Sequence, residues 1–280
     1  MTLETRLNTI SVSVIACIAL VYICTFINSA VALTAFFSVV PLYWFVQRNH
    51  ARYAVLDKIW HLGGAWKYVF PFVIYLVIGE LVCNLLLGYD AHYHIYVAYT
   101  LRTVIVGGIL VRYRSLYTEL TDWKFDVPAL LVGVLIFALW VGLEGHYPMF
   151  SGASNQSHFD PSIFGTDMLI LLLCVRLVGS VLVAAFIEEL FTRSFLMRYV
   201  IDPARWAEVP VGMYTFTSFM VVALFFGFAH FRWLPGILTG ILLNLLLYKR
   251  RNIFACVEAH AMANLLLFFY VLYTGSWFFW

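Results

Sequence analysis

The chain has 280 residues, of which 63% are hydrophobic and 11% charged, and its formal net charge is +2. With a mean hydropathy of +0.90, too few polar side chains remain to cover a water-soluble surface, so a soluble globular domain is excluded. The basic residues are spread among loops rather than gathered into a patch, which argues against a nucleic-acid partner and for the lipid bilayer as the surroundings.

A helix that crosses a bilayer needs about 20 mostly apolar residues. In chain order, the apolar runs predict helices over 9–27, 29–46, 68–88, 95–111, 127–144, 167–188, 214–231, 234–248 and 253–274. The expected fold is therefore all-α, a polytopic transmembrane helical bundle of about eight or nine spans. The first division is the least marked, because only Asn28–Ser29 interrupts residues 9–46. The run from Thr9 to Ile27 is too long for a signal-peptide core and lacks a small-x-small cleavage site, so it reads as an uncleaved span. Cys17, Cys24, Cys83, Cys174 and Cys256 all fall in apolar stretches without a CxxC pair, which indicates neither a disulfide framework nor a thiolate metal site.

The lysines and arginines set the sides. With the N-terminus inside, the inner segments hold Arg6, then Arg48, Arg52, Lys58 and Lys67, then Arg112, Arg114 and Lys124, then Arg198 and Arg205, then Lys249, Arg250 and Arg251. The outer loops 89–94 and 145–166 hold none, and Arg232 is the only outer candidate. This asymmetry predicts an inside N-terminus and an outside C-terminus. Arg102, Arg176 and Arg193 fall within spans. Residues 1–126 read as N-terminal membrane helices of unknown role, and the unusual polar residues all lie in 127–280.

Those residues form three groups. In FIEELFTRSFLMRY, residues 186–199, Glu189 and Arg193 are spaced i,i+4 and can pair on one face. Glu188 lies about 100° round the helix and stays outside that pair. In ALFFGFAHFRWLPG, residues 223–236, His230 follows Phe226 by one turn, and Pro235–Gly236 breaks the helix soon after. In FACVEAHAMANLLLFF, residues 254–269, His260 and Asn264 again share a face at i,i+4. Glu258 points nearly opposite His260 and is read as interfacial. Taken singly, each group also fits a span end, an interfacial histidine or interhelical polar packing. Together they supply a carboxylate, two imidazoles and a carboxamide, the inventory for activating water and stabilising an oxyanion. There is no HExxH metal helix and no GxSxG nucleophile elbow.

Glu188-Glu189-x-x-x-Arg193, Phe226-x-x-x-His230 and His260-x-x-x-Asn264 resemble, in order, the three motifs of the CAAX-processing and bacteriocin-processing (CPBP) membrane proteases, which include the type II CAAX prenyl endopeptidases. The resemblance covers roughly residues 167–275 and makes 127–280 a CPBP-like core. EELFTRSFLMRYVID and NLLLYKRRNIFACVEAHAMANLLL also resemble the bacterial CAAX-protease-related branch found with exosortase-type sorting systems. The resemblance implies an integral protein of the bacterial inner (plasma) membrane, an intramembrane endopeptidase cutting a membrane-anchored protein or peptide. It makes Glu188 the general base on water, His230 its partner, and His260 and Asn264 the oxyanion donors, with Glu189, Arg193 and Phe226 in support. No cofactor is implied. Three alternatives stand beside this reading: a zinc protease ligated by Glu188, His230 and His260, a non-enzymatic transporter or proton relay built on Glu80, Arg102, Arg176, Glu188 and His230, and a membrane scaffold that keeps the fold and binds a partner.

One geometric difficulty accompanies the span count. It puts Glu188 at the inner end of its helix and His230 near the outer end of another. A hairpin of the seventh and eighth helices, its tip held inside the protein, would bring them together and bury Arg232.

Overall fold

A computed structural model describes residues 64–85, 91–121, 124–148 and 159–280. The expected spans 9–27 and 29–46 and the side chains of Glu80 and Cys83 lie outside these residues. The architecture is helical, with no strand among the described residues. Its main helices are α1 (Trp66–Leu85), α2 (Ala91–Arg112), α3 (Val127–Gly142), α4 (Thr166–Ile201), α5 (Phe216–Phe228), α6 (Trp233–Arg250) and α7 (Ile253–Thr274). Each overlaps one of the seven apolar runs expected after residue 66. Tyr93–Arg112, α4 and α7 are long and apolar enough to cross a membrane, while Trp66–Ile78, α3 and α5 are shorter apolar helices. This is an integral membrane protein.

The largest departure from expectation is α4. The charged residues Glu188, Glu189 and Arg193 were read as the end of a span, yet the helix continues to Ile201, 36 residues in all. At 1.5 Å per residue such a rod is about 54 Å long, well beyond the roughly 30 Å hydrocarbon core. Its charged stretch is enclosed by protein rather than left at a helix end. Every residue from Glu189 to Tyr199 is buried, Phe191, Phe195 and Leu196 among the main core. The polar side chains of this stretch, Glu189, Thr192, Arg193, Ser194 and Arg198, are enclosed with it. Two π-helical stretches, Val178–Ala184 and Leu190–Leu196, flank the α-helical turn Ala185–Glu189. Such wide turns loosen the helix ladder locally and are frequent at functional sites.

α3 packs on α7, α1 on α2, and α5 on α6. The α5–α6 contact is the tightest and follows from small residues. A Cβ added at Gly227 would come within 2.1 Å of Ile237 Cγ1, and one at Gly236 within 2.9 Å of Gly227 Cα. Ala223 and Gly227 on α5 thus meet Gly236 and Gly240 on α6, the small-xxx-small pattern that lets helix backbones touch in lipid. Pro235 sits in the first turn of α6, where its missing N–H breaks no helical bond.

The hairpin tip, residues 229–232, is held by other chain ends. Arg232 pairs with Glu144 just after α3, at 2.7 Å (Nε–Oε2) and 3.1 Å (Nη2–Oε1), and donates to the Phe278 carbonyl. The Trp233 indole donates to the Pro148 carbonyl at 2.8 Å. Arg232 is thereby largely covered by protein, as the hairpin arrangement requires, and the tip reaches the middle of α4 because α4 runs on beyond Glu188.

Candidate functional site

Three helices carry the polar groups, and each is positioned by a local feature. Glu188 and Glu189 occupy the α-helical turn between the two π stretches of α4. His230 is the second residue past the end of α5, where its Nδ1 lies 2.7 Å from the Phe226 carbonyl. A carbonyl only accepts, so Nδ1 carries a hydrogen, and Nε2 is the nitrogen left to face Glu188. His260 and Asn264 project from α7, whose first turn is capped by Asn252 accepting from the Phe254 N–H at 2.8 Å.

Glu188, His230, His260 and Asn264 line one cavity of about 250 Å³, with Phe226 in its wall. Glu188 Oε2 faces His230 Nε2 at 3.9 Å, with both side chains partly accessible. The Phe226 ring lies between the two imidazoles, with centroids 4.9 Å from His230 and 5.8 Å from His260. Trp140 meets His230 edge-on at 5.5 Å. The order of the helices along the chain did not by itself bring these groups together. The hairpin tip and the length of α4 did.

Glu189 and Arg193 lie behind the cavity, both fully buried. Arg193 Nε is 3.3 Å from Glu189 Oε2, close enough to pair although not aligned as a hydrogen bond. Its Nη1 donates to Glu189 Oε1 at 3.3 Å and to Thr192 Oγ1 at 2.8 Å, and its Nη2 to the Gly240 carbonyl at 3.3 Å. The guanidinium also stands 4.5 Å over the Phe226 ring. The second tie of Glu189 was not expected: its Oε1 accepts from His260 Nδ1 at 2.9 Å. Asn264 Nδ2 donates to the Ser180 carbonyl at 2.8 Å, inside the first π stretch, so one of its two N–H groups remains for the cavity.

The zinc alternative does not fit. Among the described residues no three His, Cys, Asp or Glu side chains are arranged to hold a metal ion, Glu188, His230 and His260 included.

Other lining groups had no motif. Tyr75, Tyr99 and Arg102 come from α1 and α2, and Arg176 from α4. The two arginines were visible in the sequence as charges within spans, and an intramembrane charge is itself a pointer to a site. Tyr75 and Tyr99 carried no such signal. Glu258 accepts from the Asp126 N–H at 3.0 Å ahead of α3.

A helical membrane bundle enclosing a cavity with a carboxylate, two imidazoles and a carboxamide has the makings of a hydrolase. Residues 170–266, which hold all four groups, match the family described as type II CAAX prenyl endopeptidase Rce1-like. The match supports the assignment of this part of the chain to the CPBP family of membrane proteases. No curated protein and no solved structure matches the chain.

Proposed function

We propose that the protein is an intramembrane endopeptidase that hydrolyses a peptide bond of a membrane-anchored protein or peptide with water activated by Glu188. The observation that carries this reading is the 3.9 Å separation of Glu188 Oε2 and His230 Nε2. Two hydrogen bonds of about 2.8 Å span that gap at an angle near 90° about one shared water oxygen. Glu188 takes a proton from that water while the oxygen attacks the scissile carbonyl carbon. His260 Nε2 and the second Asn264 N–H face the same cavity and serve the resulting oxyanion. Because His260 Nδ1–H is held by Glu189, Nε2 donates only when the ring is imidazolium. Collapse of the intermediate breaks the C–N bond, and Glu188 returns the proton to the departing amine. Residues 127–280 act as the catalytic core in this scheme, and α1 and α2 add a wall to the cavity. The bacterial inner (plasma) membrane is the proposed location, and the branch found with exosortase-type sorting systems the proposed relation; the likeness of the EELFTRSFLMRYVID stretch supports both.

The test is a comparison of peptide termini in membranes that contain the protein, lack it, or carry Glu188→Gln. A terminus present with the native chain and absent from both others is expected. If every terminus made by the native protein persists with Glu188→Gln, Glu188 is not the base.

A further inference from the structure

Two cations in the cavity have no part in the chemistry above. Their guanidinium carbons lie 4.4 Å (Arg102) and 4.5 Å (Arg176) from the centre of the Tyr99 ring. Arg102 also stands 4.7 Å over Tyr75. Among the described residues neither forms an ion pair, and the Nε of each is buried without a hydrogen-bond partner. The other enclosed arginines are treated differently: Arg193 meets Glu189, Arg198 meets Glu119 and Arg232 meets Glu144.

Two like charges gathered on one aromatic ring in a membrane interior are costly, and ring faces offset only part of that cost. Glu188 shares the cavity but faces His230. A guanidinium offers a planar fork of donors matched to a carboxylate, so an incoming carboxylate answers the unpaired charge of the two arginines. An extended peptide advances roughly 3.3–3.6 Å per residue. In a cavity of about 250 Å³, a carboxylate held here belongs to a residue close in sequence to the bond presented to Glu188.

We propose that Arg102 and Arg176 form a subsite for a carboxylate of the peptide substrate, either its chain end or an acidic side chain. The proposal builds on the protease reading, but it is tested by binding, so the two can fail separately. The full-length chain carrying Glu188→Gln, in detergent micelles, is titrated calorimetrically with acetyl-Ala-Val-Ala as the free acid, the same peptide as its amide, and the amide of acetyl-Ala-Asp-Ala. These peptides are water-soluble and hold no preference for the micelle. At least one carboxylate peptide is expected to bind 10-fold or more tightly than the uncharged amide. Preference for the free acid identifies a chain end, and preference for the aspartyl amide identifies a side chain. Arg102→Gln and Arg176→Gln are each expected to abolish the difference, which the unsubstituted arginines establish without relying on either variant's folding. Equal binding of all three peptides, no binding at millimolar concentration, or a preference that survives the double substitution would overturn the proposal. So would tighter, competitive binding of dodecyl phosphate, which marks a lipid-headgroup site instead.

Discussion

Glu189 and His260, 71 positions apart in sequence, are joined by a 2.9 Å contact between Oε1 and Nδ1. The same carboxylate lies against Arg193, one turn further along α4. Glu189 is thus shared between a buried cation and a ring that faces the cavity, and it fixes which nitrogen of His260 is turned toward substrate. This carboxylate–imidazole link makes Glu189 a positioning residue as well as half of an ion pair.

Removing one partner of that pair is expected to harm folding. Arg193→Met leaves Glu189 enclosed without its cation, and stranding a buried charge costs about 3–5 kcal/mol. A lower yield in membranes and earlier thermal unfolding in detergent should follow. The double substitution Glu189→Leu with Arg193→Met removes both charges and is expected to recover much of that stability, because apolar replacements of a buried pair are often neutral. It should not recover proteolysis, since His260 loses the group that holds its ring. Recovery of both together would show that Glu189 acts only through Arg193.

Glu188 and Asn264 are expected to give a different signature. Among the described residues the Glu188 carboxylate faces only His230, at 3.9 Å, and it is partly accessible. Glu188→Gln should therefore insert and unfold like the native chain while cleavage disappears. Asn264→Ala should lower the rate by on the order of 10²–10³, the usual loss for an oxyanion donor. Rates are read from the appearance of the new peptide terminus, and stability from thermal unfolding of the same samples. A rate within a factor of about three of native for Asn264→Ala would remove it from the oxyanion site.

Some of this arrangement was legible in the sequence because it is local. The i,i+4 spacings of Glu189 with Arg193 and of His260 with Asn264 set shared faces whatever the tertiary context. The apolar runs of α3 and α7 located those helices to within two residues. What failed was the inference that charges mark a helix end, because Glu188 to Arg193 sit inside a rod that goes on to Ile201. A hydropathy pattern does not distinguish a charge at the membrane edge from one enclosed by protein. The π stretches had no signal either: nothing in VGSVLVA or LFTRSFL distinguishes them from ordinary helical sequence. The Glu189–His260 contact depends on how α4 meets α7, which no local spacing encodes.

The α5–α6 hairpin is expected to be intolerant of a single methyl group. Gly227→Ala places a Cβ within 2.1 Å of Ile237 Cγ1 and 2.8 Å of the Ile237 backbone nitrogen, and the backbone is not free to move aside. Overpacking of this kind typically costs about 1–3 kcal/mol. The two helices must part, and His230, three residues on, moves away from Glu188. Lost cleavage with moderately lowered thermal stability is the expected result. Gly108→Ala in α2 is the control, since its added Cβ meets nothing within 4 Å. It should leave cleavage unchanged, and equal damage from the two substitutions would show that helix flexibility, not the close approach, is what matters.

The final prediction concerns which way the bundle faces. Several basic segments, far apart in sequence, meet at one end of the structure. The Lys67 ammonium donates to the Leu116 carbonyl, Arg250 pairs with Asp126, and Arg198 Nη2 lies 4.0 Å from Glu119 Oε1. The opposite end joins Glu144 to Arg232, Arg232 to the Phe278 carbonyl and Trp233 to the Pro148 carbonyl. Arg232 is the one basic residue there among these contacts, and it is neutralised by its partner. Lysine and arginine retained on the cytoplasmic side orient membrane proteins, so the first end should be inside and the end bearing the hairpin tip and Trp280 outside. Reporter fusions after Arg205 and after Arg251 should therefore be active on the cytoplasmic side, and fusions at Ser154 and after Trp280 on the other. The N-terminal expectation is checked by a fusion at Arg52, which should agree with Arg205. If Arg205 and Arg251 report opposite sides, the α5–α6 hairpin does not return to the side it left, and the route by which His230 reaches Glu188 fails with it.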